Sequence, residues 1–182
     1  MSYMTLNNII VSTLNQLDRS HDAHSIEIWH DKLTGYINDA VRDLALEAIK
    51  PKRRESVAAS GGIIDLSLLK RECVKVTSVE KNGVPIAFSE TETGKVFVNA
   101  NGNVTITYRF VPNELVSPTD EPELPSFTHA LIITYAVGMD RMSGEVNTQG
   151  GGNIFLSMYE VGKNKLKNAI NASDASYIIN KW

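Results

Sequence analysis

Near Arg53 the spacing of apolar residues changes from a period of 3.6 to a period of 2, and past Pro125 it changes back. A helical stripe and a pleated face cannot share one continuous element, so the chain must be helical at both ends and sheet-like in the middle. Before the switch, Leu6, Ile9, Ile10, Thr13, Leu14 and Leu17 mark a short helix with Thr5 as a suitable N-cap. Residues 18–27 are polar and without period, which predicts a loop. In "WHDKLTGYINDAVRDLALEAIK" a stripe of Leu33, Ile37, Ala40, Val41, Leu44 and Ala48 predicts a long helix that Pro51 stops.

Six strands are expected between the helical ends, at 54–59, 62–66, 73–80, 84–88, 95–99 and 104–110. Asn82-Gly83 is a strong hairpin signal, and "ANGN" holds a second such turn. Residues 111–125 carry four prolines and read as an acidic linker out of the sheet. A third helix should run from Pro125 to about Arg141. "SGEVNTQGGGN" reads as a flexible loop, and a fourth helix at about 153–170 has a stripe of Phe155, Met158, Tyr159, Gly162, Leu166, Ala169 and Ile170. The expected fold is α+β: a four-helix bundle with an antiparallel β insertion between the second and third helices. The bundle would comprise 1–52 and 112–171, the insertion 53–111, and a docking tail 172–182.

A length of 182 residues with 42% apolar composition suffices for a real core. The formal charge of -3 gives no global sign of a nucleic-acid or membrane binder. No stretch is long and apolar enough for a membrane span, and no signal peptide is read at the start. Cys73 is the only cysteine, so no internal disulfide framework is possible.

Chemistry-bearing motifs are sparse. His21, His24 and His30 lie near Asp22 and Asp31, but their spacing matches no ligand pattern, and a polar surface segment is the stronger reading. "GGGN" precedes a helix yet lacks the Gly-Lys-Ser/Thr ending of a phosphate loop. Cys73 has no neighbouring base in sequence and is expected as a buried structural thiol. No enzyme activity and no cofactor are expected.

Three features point instead to association. The third helix carries one stripe of Phe127, Ala130, Leu131, Thr134 and Val137, and a second of Ile132, Tyr135 and Met139. Two apolar faces imply either a central helix wrapped by its own domain or one shared with another subunit, and Ile132, Tyr135 and Met139 are the candidate subunit interface. "KPKRR" gathers Lys50, Lys52, Arg53 and Arg54 at a helix end, with Lys52, Arg53 and Arg54 as a candidate electrostatic dock against a solvent-facing alternative. Tyr177, Ile178, Ile179 and Trp182 are candidate anchors for a partner groove.

The order "TLNNIIVSTLNQL", "IWHDKLTGYINDAVRDLALEAI", an "NG"-containing β region, "ITYRFVPNELVSPTDEPELPSFTHALIITYAVGMDRM" and "FLSMYEVGKNKLKNAI" resembles the head-to-tail connector adaptors of tailed bacteriophages, of the tail tubular protein A type. The likeness covers about residues 5–170 and is carried by the Trp29/Leu33 helix entry and the Tyr-Arg-Phe-x-Pro strand exit at 108–112. It implies a noncatalytic virion component at the head-tail neck, assembled in the host cytoplasm. It further implies a homo-oligomeric ring of roughly twelve copies, bound to the portal protein and to the next tail component (terminator, stopper or nozzle). Genomic DNA would pass through the lumen without sequence-specific binding. The contrasting expectation is a small DNA-binding regulator that uses the basic cluster 50–54, which would show steep salt dependence.

Overall fold

Thr5 caps the first helix: its hydroxyl accepts from the Asn8 amide at 3.3 Å, and α1 (Leu6–Gln16) follows. The structure, a computed structural model, describes residues 4–91, 94–144 and 146–179. Helix α1 ends where Asp18 takes a left-handed φ of 56° and the Arg19 amide bonds back to the Leu14 carbonyl, closing the last turn. Chain then re-enters helix sooner than the expected loop at 18–27 allows. The Asp22 carboxylate accepts from the Ser25 amide at 2.8 Å and starts α2 (Ala23–Leu44). The opening turns of α2 are largely exposed, so a cap rather than a hydrophobic period announces them. A π-helical turn, Ala45–Ile49, finishes the segment, and Lys50 and Pro51 divert it.

The protein is α+β, with four helices and antiparallel sheets among the described residues. After α2 come β1 (Lys52–Ala59), β2 (Ile63–Asp65), β3 (Cys73–Lys81), β4 (Val84–Ile86), β5 (Phe88–Glu90), β6 (Lys95–Val98) and β7 (Gly102–Phe110). Then follow α3 (His129–Met142), entered through a 3-10 turn at Ser126–Thr128, and α4 (Val146–Ile179). Two compact units result: Met1–Ile49 with Asn113–Trp182, and Lys50–Pro112.

The second unit holds two sheets, ordered β1-β7-β3-β4 and β2-β6-β5. Asn82 (φ 51°) and Gly83 (φ 79°) form the expected hairpin between β3 and β4, both in the left-handed region that a type I′ turn requires. The expected strand 84–88 is instead two strands in different sheets, with β4 pairing β3 and β5 pairing β6. The turn at Asn101-Gly102 likewise joins β6 to β7 of the other sheet rather than closing a hairpin. Val76, Val79, Val96, Val104, Ile106 and Tyr108 fill the core between strands whose alternate residues face out.

The helical unit packs Leu6, Ile9, Ile10, Leu14, Leu33, Ile37, Leu44, Ile132, Ala136, Val137 and Tyr159 into one core. Each large aliphatic side chain so buried contributes about 1.5–3 kcal/mol. The acidic, proline-rich segment 111–125 belongs to that core and is more than a connector. Leu115 and Leu124 are buried, and Asn38 holds the Leu115 backbone by both its groups at 2.9 and 3.0 Å. Asp120 accepts from the Val116 and Ser117 amides, and the carbonyls of Pro118 and Asp120 accept the first free amides of α1.

Helix α4 contains Gly150, Gly151 and Gly152, which were expected in a loop. A Cβ at Gly152 would lie 2.9 Å from the Met142 amide nitrogen and 3.0 Å from the Gly138 carbonyl oxygen, so α3 and α4 touch backbone to backbone there. Tertiary contact overrides the helix-breaking tendency of glycine. The helix also continues to Ile179, beyond the expected end at 170.

Candidate interaction surface

Several charged groups of the helical unit hold its helices together. Arg19, positioned by the end of α1, stacks its guanidinium 3.8 Å from the Trp29 ring and reaches the Asp140 carboxylate of α3 at 2.8 Å. Lys32 lies 2.9 Å from the other Asp140 oxygen, an ion pair by distance rather than an aligned hydrogen bond. A carboxylate as buried as Asp140 requires such partners.

A second polar cluster joins α2 to α4. The Tyr159 hydroxyl donates to Asp43, and Lys163 Nζ donates to Asp43 and Glu160 at 2.8 Å each. Burial, reinforced by the Asp43 carboxylate, pushes the Tyr159 hydroxyl far above its usual range. Burial pulls Lys163 down, but its bonds to Asp43 and Glu160 outweigh that and leave it raised. Tyr135 meets Tyr159 edge-on with ring centroids 4.9 Å apart. Burial raises its hydroxyl, and Asp39 and Asp43 add to the shift. In the β unit the Tyr108 hydroxyl donates to Glu55 and is pushed up to about 12, first by burial and then by that carboxylate.

The expected second face of α3 is therefore covered by the chain's own helices. Ile132 is fully buried in the helical core, Tyr135 packs on Tyr159, and Met139 is half-buried. A free subunit face cannot be built on Ile132, because a residue already in the core has no surface left to offer. The first stripe is not fully covered, since Phe127 is 55% exposed and Ala130 is exposed.

The exposed apolar face lies on α4. Tyr159 and Gly152 point inward, with Phe155, Gly162 and Leu166 partly covered beside them. Ile154, Met158 and Val161 recur at i, i+4 and i+7 on the opposite side and are 62, 57 and 54% exposed. Met158 therefore leaves the inward stripe assigned to it from sequence, and Lys163 joins it. Asn153, Ser157 and Lys165 flank an open groove of ≈ 570 Å³ along this face. The i, i+4, i+7 spacing of 154, 158 and 161 was readable, but the inward stripe of the same helix obscured it.

The basic cluster sits on a strand rather than at a helix end. Lys52 and Arg54 lie on the exposed face of β1, and Arg53 faces the other way, opposite Tyr108. Arg54 pairs with Glu80 at 2.7 Å. Tyr177, Ile178 and Ile179 fall on the helical backbone of α4, while their side chains and Trp182 lie outside the described residues.

Asp22 serves as the α2 cap, and His30 contacts Asp31 at 3.1 Å. Among the described residues no group of three or more His, Cys, Asp or Glu could hold a metal ion. Cys73 is half-buried, and burial, with Glu90 adding to it, pushes its thiol up to about 11. No helix is long and apolar enough to cross a membrane among the described residues. Neither a family model nor a curated protein matches the chain.

Proposed function

We propose that this chain is a structural adaptor that assembles into a ring between the portal of a tailed-phage head and the next tail component. On this reading it is noncatalytic, belongs to the virion neck, and leaves a lumen for the genome. The helical unit is a four-helix bundle, the β unit is an insertion between its second and third helices, and roughly twelve copies match the portal's symmetry. The observation that carries the reading is the α4 stripe. Ile154, Met158 and Val161 are exposed along one line of a helix whose other side already packs against α3. A contiguous apolar line of this kind is what a neighbouring subunit would remove from water. The resemblance of residues 5–170 to connector adaptors supplies the biological setting.

Light scattering on the purified protein, alone and with a portal, tests the reading. Assembly is expected, and Met158→Asp should reduce it while the circular dichroism spectrum stays unchanged. A strict monomer at every concentration, with and without portal, would sink the proposal. Equal assembly by Met158→Asp would remove the α4 stripe from the interface.

A further inference from the structure

Strand register brings together three cations that are far apart in the chain. Lys52 of β1 lies directly opposite Arg109 of β7, and Arg109 lies directly opposite Lys75 of β3. Adjacent strands run about 4.8 Å apart, so the three form one row across the sheet. Lys52 and Lys75 are exposed, and Arg109 is half-exposed on the same outward face of β7 as Thr105 and Thr107. Like charges placed directly opposite one another across strands are destabilising. Among the described residues none of the three has an ion-pair partner, and Glu80, the carboxylate within β3, already pairs with Arg54. The free protein therefore keeps an unfavourable arrangement that an anionic partner would relieve.

Charge is also divided between the two units. Residues 50–112 hold ten Lys and Arg against six Asp and Glu, a formal +4, although the whole chain is -3. The helical unit accordingly carries a formal -7. On it, Asp43 and Glu160 share the single cation Lys163 at 2.8 Å each, and Asp39 is exposed one helical turn before Asp43. Each unit thus has the sign that suits the other unit of a second molecule.

We propose that the outward face of the β1-β7-β3-β4 sheet docks onto the acidic helical unit of a second copy of this chain. Each copy gives its basic row to one neighbour and its acidic surface to another, a heterologous contact of the kind that closes into rings. A nucleic-acid partner fits less well. The row is short, its neighbours on the outward face of β7 are hydroxyl and amide side chains rather than aromatic stacking partners, Arg54 beside it is paired with Glu80, and the chain as a whole is acidic. This inference rests on the self-assembly proposed above and specifies one half of the interface.

The test uses two full-length variants: Lys52→Glu/Lys75→Glu/Arg109→Glu, which reverses the row, and Asp39→Lys/Glu160→Lys, which reverses the acidic surface. Circular dichroism and thermal melting verify that both fold, with the single Arg109→Glu variant in reserve. Each alone should be at least about tenfold weaker in self-association than the parent chain at about 50 mM salt, and the parent itself should weaken towards about 500 mM. An equimolar mixture should regain association, since each variant retains the half that the other lacks and the two reversed patches are also complementary. Row reversal that leaves assembly unchanged overturns the proposal while leaving the ring reading intact. A mixture that stays monomeric also overturns it, as does a row whose reversal abolishes only salt-sensitive duplex DNA binding. A parent chain that never associates sinks the ring reading itself.

Discussion

The hydroxyl of Tyr159 donates to the carboxylate of Asp43, so a residue of α4 and a residue of α2 separated by 116 positions share a proton donor and acceptor inside the helical unit. Lys163 completes the group by donating to the same Asp43 oxygen. Removal of the hydroxyl in Tyr159→Phe leaves Asp43 paired with Lys163 and should cost about 1 kcal/mol of stability in urea unfolding. The folded-state value of Tyr159 lies above the unfolded one, near 10, so its contribution is intact below about pH 10 and lost as pH rises further. The loss of stability above that pH should be shallower in Tyr159→Phe than in the parent chain. Equal slopes would mean that the phenol does not govern the alkaline limb.

Adjacent glycines in α4 should respond with opposite signs to the same change. At Gly151 a methyl group meets the movable Arg141 side chain, at 3.1 Å from a guanidinium nitrogen. Gly151→Ala should therefore stabilise by up to about 1 kcal/mol through helix propensity. At Gly152 the methyl meets fixed backbone of α3, and Gly152→Ala should destabilise by about 1–3 kcal/mol. Thermal melting of the pair checks both, and a stabilised Gly152→Ala would show that the two helices do not touch as described.

Asp22 is lowered to about 2, chiefly by the Ser20 hydroxyl and then by the Ser25 amide that it caps. A depressed folded-state value gives stability that is present above the ordinary carboxylate value and lost as pH falls from about 4 towards 2. In Asp22→Ala that acid-limb component should be missing, so its stability relative to the parent chain should be lowest near neutral pH and converge near pH 2. Guanidinium titrations at several pH values measure the convergence.

Cys73, with its thiol raised to about 11, holds about a hundredfold less thiolate near neutral pH than a thiol at the ordinary value. Alkylation by iodoacetamide at pH 8 should be slow in the folded protein and should accelerate sharply in denaturant. Rapid modification without unfolding would contradict its placement against the sheet core.

Regular stripes were legible in the sequence because burial on one face leaves a period. Leu33, Ile37, Ala40, Val41 and Leu44 form the buried side of α2 as their spacing indicates. Failures occurred where another force decided. The start of α2 depends on one carboxylate cap, the continuation of α4 through three glycines depends on close contact with α3, and the second face of α3 is buried by α2 and α4 together. The basic row was invisible for a different reason. Lys52, Lys75 and Arg109 become neighbours only through strand register, and "KPKRR" drew notice to a local cluster in which Arg53 and Arg54 face opposite sides.

Chain enters the β unit at Pro51 and leaves it after Phe110, and the Phe110 amide bonds to the Pro51 carbonyl at 3.2 Å. Entry and exit are thus neighbouring rungs of one ladder, Lys52 beside Arg109. Some sixty residues can therefore be exchanged as a cassette with a single seam: any replacement whose two ends lie about 5 Å apart presents the same pair of junctions to the rest of the chain. With such a seam, a change in the sheet's outward charges need not alter the sequence of the helical core.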